Sequence, residues 1–96
     1  METKDVNRLR IWAERLKAMG HPVRLEILID LHQGCYDLKG IMDKYRMSQP
    51  AVSQHLSILR RLGMIRCSRE GLTMCYAIPN DEVKAFITLL TKEVLP

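Results

Sequence analysis

The sequence predicts a mainly α-helical chain carrying one β-hairpin, in the order α-α-α-α-β-β-α, as one domain over residues 1–96. Three observations lead there. Apolar residues recur three or four apart up to Leu62 and again beyond Val83, which is the helical period. Between Ile65 and Ile78 the period drops to two, that of a strand. The 96 residues, 47% of them apolar and 27% charged, suit one modest core rather than a disordered chain. No repeat, low-complexity tract or linker divides them.

The first periodic segment runs from about Asp5 to Met19. Val6, Leu9, Trp12, Ala13, Leu16 and Met19 form one stripe, Asp5 can cap its start, and Gly20 stops it. Trp12, the single tryptophan, is expected against the body or a partner chain. Pro22 suits the first turn of a second helix, where its missing N–H is not needed. Leu25, Leu28, Ile29 and His32 follow at helical spacing, and Gly34 ends that helix. Asp37 can cap a third helix carrying Leu38, Ile41, Met42 and Tyr45. Gly40 inside it costs stability and is expected to mark close helix contact. Ser48 caps a fourth helix with Pro50 in its first turn, Val52, Leu56, Leu59 and Leu62 facing inward, and Gly63 at its end. Ile65, Cys67, Met74, Tyr76 and Ile78 alternate on either side of Glu70-Gly71 and read as a hairpin. Pro79-Asn80-Asp81 opens a last helix with Val83, Phe86, Ile87, Leu90 and Val94.

Leu38 to Leu62 carries the functional signal. A short helix, a tight turn at Arg46-Met47-Ser48 and a second helix form a helix-turn-helix. Gln49, Ser53, Gln54, Ser57 and His55 are expected to point outward near the N-terminal half of the second helix, where such helices meet base edges. Gln and Ser can hydrogen-bond to bases, His55 could meet a phosphate, and Arg60 and Arg61 could reach the backbone. A face that only solvates would show Lys and Glu pairs, yet Gln49 to Leu62 holds no acid. The chain's formal charge of +4 agrees: residues 37–78 hold seven Lys and Arg against three acids, and the remainder is balanced. Arg66, Ser68 and Arg69 lie on the first hairpin strand, where arginine can enter a neighbouring minor groove. DNA-binding candidates are thus Ser48, Gln49, Ser53, Gln54, His55, Ser57, Arg60, Arg61, Arg66 and Arg69.

The run Lys17-Ala18-Met19-Gly20-His21-Pro22-Val23-Arg24-Leu25-Glu26-Ile27-Leu28 resembles the second-helix signature of the ArsR/SmtB family of winged helix-turn-helix repressors. Ser48 to Ile65 resembles that family's recognition helix, and Arg69-Glu70-Gly71 with Cys75-Tyr76 its wing. The resemblance covers roughly residues 9–90. It implies a homodimer made by the first and last helices, which binds a double-stranded, pseudo-palindromic operator and represses transcription until a signal releases it. One metal site of the family uses a Cys-x-Cys pair just before an Asp-Leu. Here Gly34 and Tyr36 hold those two positions, with Cys35 between them. The other uses Asp and His of the last helix, but residues 80–96 hold no His or Cys. Neither metal site is expected, no cofactor is implied, and His21 reads as structural.

Thiols are the remaining chemistry. An odd count of three cysteines and no export signal after Met1 lead to the expectation of a cytoplasmic protein with reduced thiols. Cys67 and Cys75 face each other across the hairpin with a three-residue loop, or stand one step out of register with a two-residue loop. The alternation favours the second case, with Cys67 inward beside Met74 and Cys75 outward. Either the two oxidise to a disulfide that distorts the wing, or they are unreactive small side chains. Cys35, near a helix start, is a further redox candidate that could pair between subunits. Control without any sensor is a third reading.

The chain offers an enzyme little: no Gly-rich phosphate loop, no recognisable nucleophile with its base, no paired acids in a pocket-like setting. No apolar run approaches membrane-spanning length. The remaining rival is a winged-helix protein-interaction module that does not touch DNA.

Overall fold

Four helices begin where a side chain can accept a free backbone N–H, and these caps set the element boundaries. His21 Nδ1 accepts from the Val23 amide, Asp37 Oδ1 from Gly40 at 2.7 Å, Ser48 Oγ from Ala51, and Asn80 Oδ1 from Glu82 and Val83. A computed structural model describes residues 1–95. It runs α1 (Thr3–Met19), α2 (Pro22–Gln33), β1 (Tyr36–Asp37), α3 (Leu38–Tyr45), α4 (Gln49–Arg61), β2 (Arg66–Glu70), β3 (Thr73–Ala77) and α5 (Asp81–Val94). The expected order of helices and hairpin is present, with a short strand added before α3. This is a winged helix-turn-helix.

The added strand changes the sheet. β1 pairs antiparallel with β3, Tyr36 opposite Tyr76 and Asp37 opposite Cys75, so the strand order is β1-β3-β2. The hairpin itself closes on the two residues Gly71-Leu72, with Glu70 opposite Thr73. Gly71 takes φ 63°, which costs a glycine nothing. The two residues of β1, Tyr36 and Asp37, carry too little periodicity to be read from sequence.

The core lies between α2, α4, α5 and the base of the hairpin. Leu28, Val52, Leu59, Met64, Val83 and Ile87 are wholly buried, each large side chain contributing about 1.5–3 kcal/mol. In α2 the buried set is Ile27, Leu28 and Leu31, while the expected Leu25, Ile29 and His32 are only half-buried. Gly40 marks a cap rather than a helix contact. A Cβ there would stand 2.9 Å from the Asp37 carboxylate oxygen.

Two expectations for α1 are corrected. Asp5 is not the cap but lies in the first turn, where its charge still suits the helix's positive end. The buried face is also rotated from the apolar stripe: Arg15, Ala18 and Met19 are buried, whereas Leu9, Ala13 and Leu16 are exposed. The cause is on α5. Glu82 pairs with both Arg8 and Arg15, and the Arg15 guanidinium lies 4.8 Å from the Trp12 ring centre. Trp12 in turn packs on Phe86, ring centres 5.2 Å apart. Paired and stacked, the Arg15 cation tolerates burial while leucines stay outside.

Candidate nucleic-acid interface

The helix-turn-helix is built on one left-handed residue. Arg46 closes α3 with φ 53° and ψ 47°, its N–H donating to the Met42 carbonyl, as does that of Met47 at 3.1 Å. That conformation reverses the chain so that α4 leaves across α3. An arginine there places an exposed cation at the turn. The turn is legible in the sequence, but Arg46 as a candidate contact is not.

α4 keeps Val52, Leu56 and Leu59 buried and leaves Gln49, Ser53, Gln54, Ser57, Arg60 and Arg61 exposed, with Ser48 exposed at its cap. Helical spacing aligns Gln49, Ser53, Ser57 and Arg60 along one edge. Ser53, Ser57 and Arg60 meet Leu56 and Tyr76 around an open cleft of about 220 Å³ between α4 and the wing. The alternation marks Tyr76 only as a hairpin residue; its place in the cleft depends on α4 and is not legible in the sequence. It is half-buried, and burial together with the neighbouring Cys67 pushes its hydroxyl pKa up, Arg60 opposing them. The hydroxyl therefore stays neutral at pH 7 and can donate or accept.

Arg61 stands on the other flank of α4. There it lines a groove with Glu14, Lys17, Ala18, Arg24, Ile58 and Leu62. His55 also departs from the expected outward set. It is half-buried against α2, its ring 4.5 Å from that of His21 and its Nδ1 3.3 Å from Arg24 Nη1. Burial first, then His21 and Arg24, push its pKa below the ordinary histidine value. His55 sits one residue before Leu56, on a border of the helix that either solvent or a neighbouring element can take, and here Arg24 and His21 take it.

In the wing, Arg69 lies near the tip opposite Met74, whereas Arg66 lies at the base opposite Ala77. Three residues apart on a strand, they point to opposite sheet faces, so the two arginines and Ser68 do not form one cluster. Arg66 and Arg69 are exposed and Ser68 is half-buried.

The cysteine expectations are corrected in pairing and in burial. Register places Cys67 opposite Tyr76 and Ser68 opposite Cys75, one step apart as the two-residue loop requires. Cys75 instead stands beside Cys35, their Cα atoms 5.8 Å apart, a separation that a disulfide can span. Cys75 is 7% exposed and Met74 46%, the reverse of the expected sides. The Cys35 segment covers Cys75, while Met74 stands out beyond the body of the protein. Cys67 is free and half-buried. Among the described residues no three His, Cys, Asp or Glu side chains gather closely enough to hold a metal ion, and no helix is long and apolar enough to cross a membrane.

Residues 21–66 match the family described as "Bacterial regulatory protein, arsR family". The chain is 40% identical over 75 residues to the transcriptional activator HlyU of Vibrio cholerae, covering 78% of this chain and 69% of that one. It is 37% identical over 79 residues to the transcriptional repressor PagR of Bacillus anthracis, covering 81% and 79%. The solved structure of reduced HlyU superposes with a TM-score of 0.88 at 32% identity, covering 99% of this chain and 100% of that one. The homodimeric winged helix-turn-helix DNA-binding domain of Mb0332 from Mycobacterium bovis superposes at 0.82 with 26% identity, covering 96% and 85%.

Proposed function

The chain belongs to the ArsR family of DNA-binding transcriptional regulators, which are not enzymes, and from that premise we propose that it represses transcription as a homodimer on a pseudo-palindromic operator. The observation that carries this reading is the exposed edge of α4. Amides and hydroxyls stand there without a carboxylate, beside a cleft completed by Tyr76 and Arg60. In the proposed complex Gln49, Ser53 and Gln54 meet base edges in the major groove. Ser48, Ser57, Arg60 and Arg61 hold phosphates, which fixes register without reading sequence. Arg69, near the wing tip, enters the adjacent minor groove, and Arg66 at the wing base contacts backbone.

Dimerisation is supported by apolar side chains that α1 and α5 leave in solvent. Leu9, Ile11 and Leu16 on α1 and Leu89 and Val94 on α5 are all exposed. Repression asks least of the chain, because occupying an operator blocks polymerase without a further contact. Activation, as in the name of HlyU, would need a surface for polymerase as well.

The test is selection of duplexes from a random pool by the purified protein, then titration of the best duplex at several salt concentrations. A palindromic motif bound by dimers, with affinity falling steeply as salt rises, is expected. A protein-interaction module would select no duplex even at low salt. Transcription in vitro from a promoter carrying the selected site should fall as protein is added. A rise would show an activator.

A second reading concerns the releasing signal, and the Cys35–Cys75 pair favours it. A disulfide between them would tie the α2–α3 connection to the strand that carries the wing. Two thiols and one peroxide give the disulfide and two waters, so the pair can register a peroxide-class oxidant. Operator affinity that differs between reduced and oxidised protein, and becomes equal in Cys75→Ser but not in Cys67→Ser, is expected. Equal affinity in wild-type protein removes the switch.

A further inference from the structure

We infer that Arg24, His21 and His55 form a neutral-imidazole latch that positions the recognition helix, so that protonating the latch releases α4 and weakens DNA binding. The inference rests on the DNA-binding reading above for its functional consequence, though not for its geometry.

The latch joins three elements. Arg24, in the first turn of α2, donates from Nε to the Ala18 carbonyl at the end of α1, 2.8 Å away. Its Nη1 lies 3.3 Å from His55 Nδ1 on α4. A guanidinium can only donate, so His55 Nδ1 must accept and its ring hydrogen must sit on Nε2. The His21 ring lies 4.5 Å from that of His55, tilted by 52°. His21 Nδ1 accepts the Val23 N–H that starts α2, which leaves this nitrogen unprotonated too. One arginine thus ties the end of α1 to the middle of α4, and each imidazole contributes a lone pair.

Protonation of His55 reverses the sign of that contact. A proton on Nδ1 would face the Arg24 guanidinium and leave two cations in van der Waals range, partly shielded from water. The groups around them do not compensate. From α1, Glu14 and Lys17 line the groove beside Arg24, and from α4 comes Arg61. One carboxylate thus stands against three cations including Arg24. No acid lies on α4 itself. The depressed His55 pKa fits this environment, where burial and the two neighbours resist the charged form.

The predicted direction separates the latch from ordinary electrostatics. Acid makes the whole chain more positive, which by itself tightens binding to a polyanion. The latch predicts the opposite. The probe is a duplex selected from a random pool by wild-type protein at pH 7.5. Its affinity should fall several-fold, by less than about tenfold, between pH 7.5 and 5.5, the range one titrating imidazole can supply. His55→Gln, whose side-chain oxygen can accept from Arg24 but does not titrate, should lose most of the pH dependence whatever its affinity at pH 7.5. Amide hydrogen exchange supplies a readout without DNA: α4 amides of wild type should lose protection at pH 5.5, and those of His55→Gln should keep it. A wild-type affinity that is flat or rises towards pH 5.5, with unchanged α4 exchange, overturns the latch. If wild type selects no duplex at pH 7.5, the DNA-binding reading fails while the exchange experiment still judges the latch.

Discussion

The α4–wing surface and the α1–α5 surface both expose side chains that solubility alone does not require, but with opposite chemistry. The first presents Gln, Ser and Arg, groups whose hydrogen bonds to water exchange readily for bonds to bases and phosphates. The second presents Leu9, Ile11, Leu16, Leu89 and Val94, which gain only when another apolar surface removes them from water. The difference teaches what each surface can hold. Contact with a polyanion on the first is directional and weakens with salt, whereas contact between copies on the second is indifferent to salt. Linking two modest DNA contacts through a persistent dimer multiplies them.

The largest effect should come from breaking the apolar surface. Leu16→Asp combined with Leu89→Asp should give a folded monomer by sedimentation and circular dichroism. Its operator affinity should fall by about 100-fold or more, because the second half-site contact is lost. A variant that stays dimeric would place the dimer elsewhere.

The polar surface should divide under single substitutions. Gln54→Ala should lower discrimination between the selected duplex and random DNA by about tenfold, the scale of one base contact. Arg69→Ala should weaken both duplexes evenly and flatten the salt dependence by about one phosphate. Gel-shift titrations of both duplexes measure this, and two unaffected affinities would move the reading surface away from α4 and the wing.

A cap outside both surfaces sharpens the contrast. Asp37→Ala should cost about 1 kcal/mol in denaturant unfolding and change neither dimerisation nor operator affinity at temperatures where the protein stays folded. A cost well below that would mean the Asp37–Gly40 bond matters little to α3.

The smallest effect is a pH dependence at Glu82. Its hydrogen bonds from Arg8, then Arg15, hold its carboxyl below the ordinary value of 4.5. A lowered folded pKa means stability present above the unfolded value and lost as pH falls through the folded one. The wild-type melting temperature should therefore drop more steeply below about pH 4.5 than that of Glu82→Gln. Parallel melting curves would show the pair contributes nothing, as exposed pairs often do.

Much of this organisation was legible in the chain. Pro22, Asp37, Ser48 and Asn80 mark helix starts through local chemistry, and Gly63 and Gly71 mark turns that need positive φ. The absence of acid along α4 marked the candidate DNA surface. The misses share one cause. The exposure of Leu16, the inward turn of His55, the place of Tyr76 in the cleft and the pairing of Cys35 with Cys75 all depend on which distant element arrives alongside.

The sequence by itself determined the order of elements, their boundaries to within a few residues, and the helix that carries the polar edge. Those follow from periodicity and from bonds a residue makes to its own neighbours. Only the tertiary structure decided which border of each helix is covered, because a helix has several candidate faces and the partner chooses among them. Glu82 rotated the buried face of α1 toward Arg15, and Arg24 drew His55 inward. Both partners lie far away in the chain, where no local spacing records them.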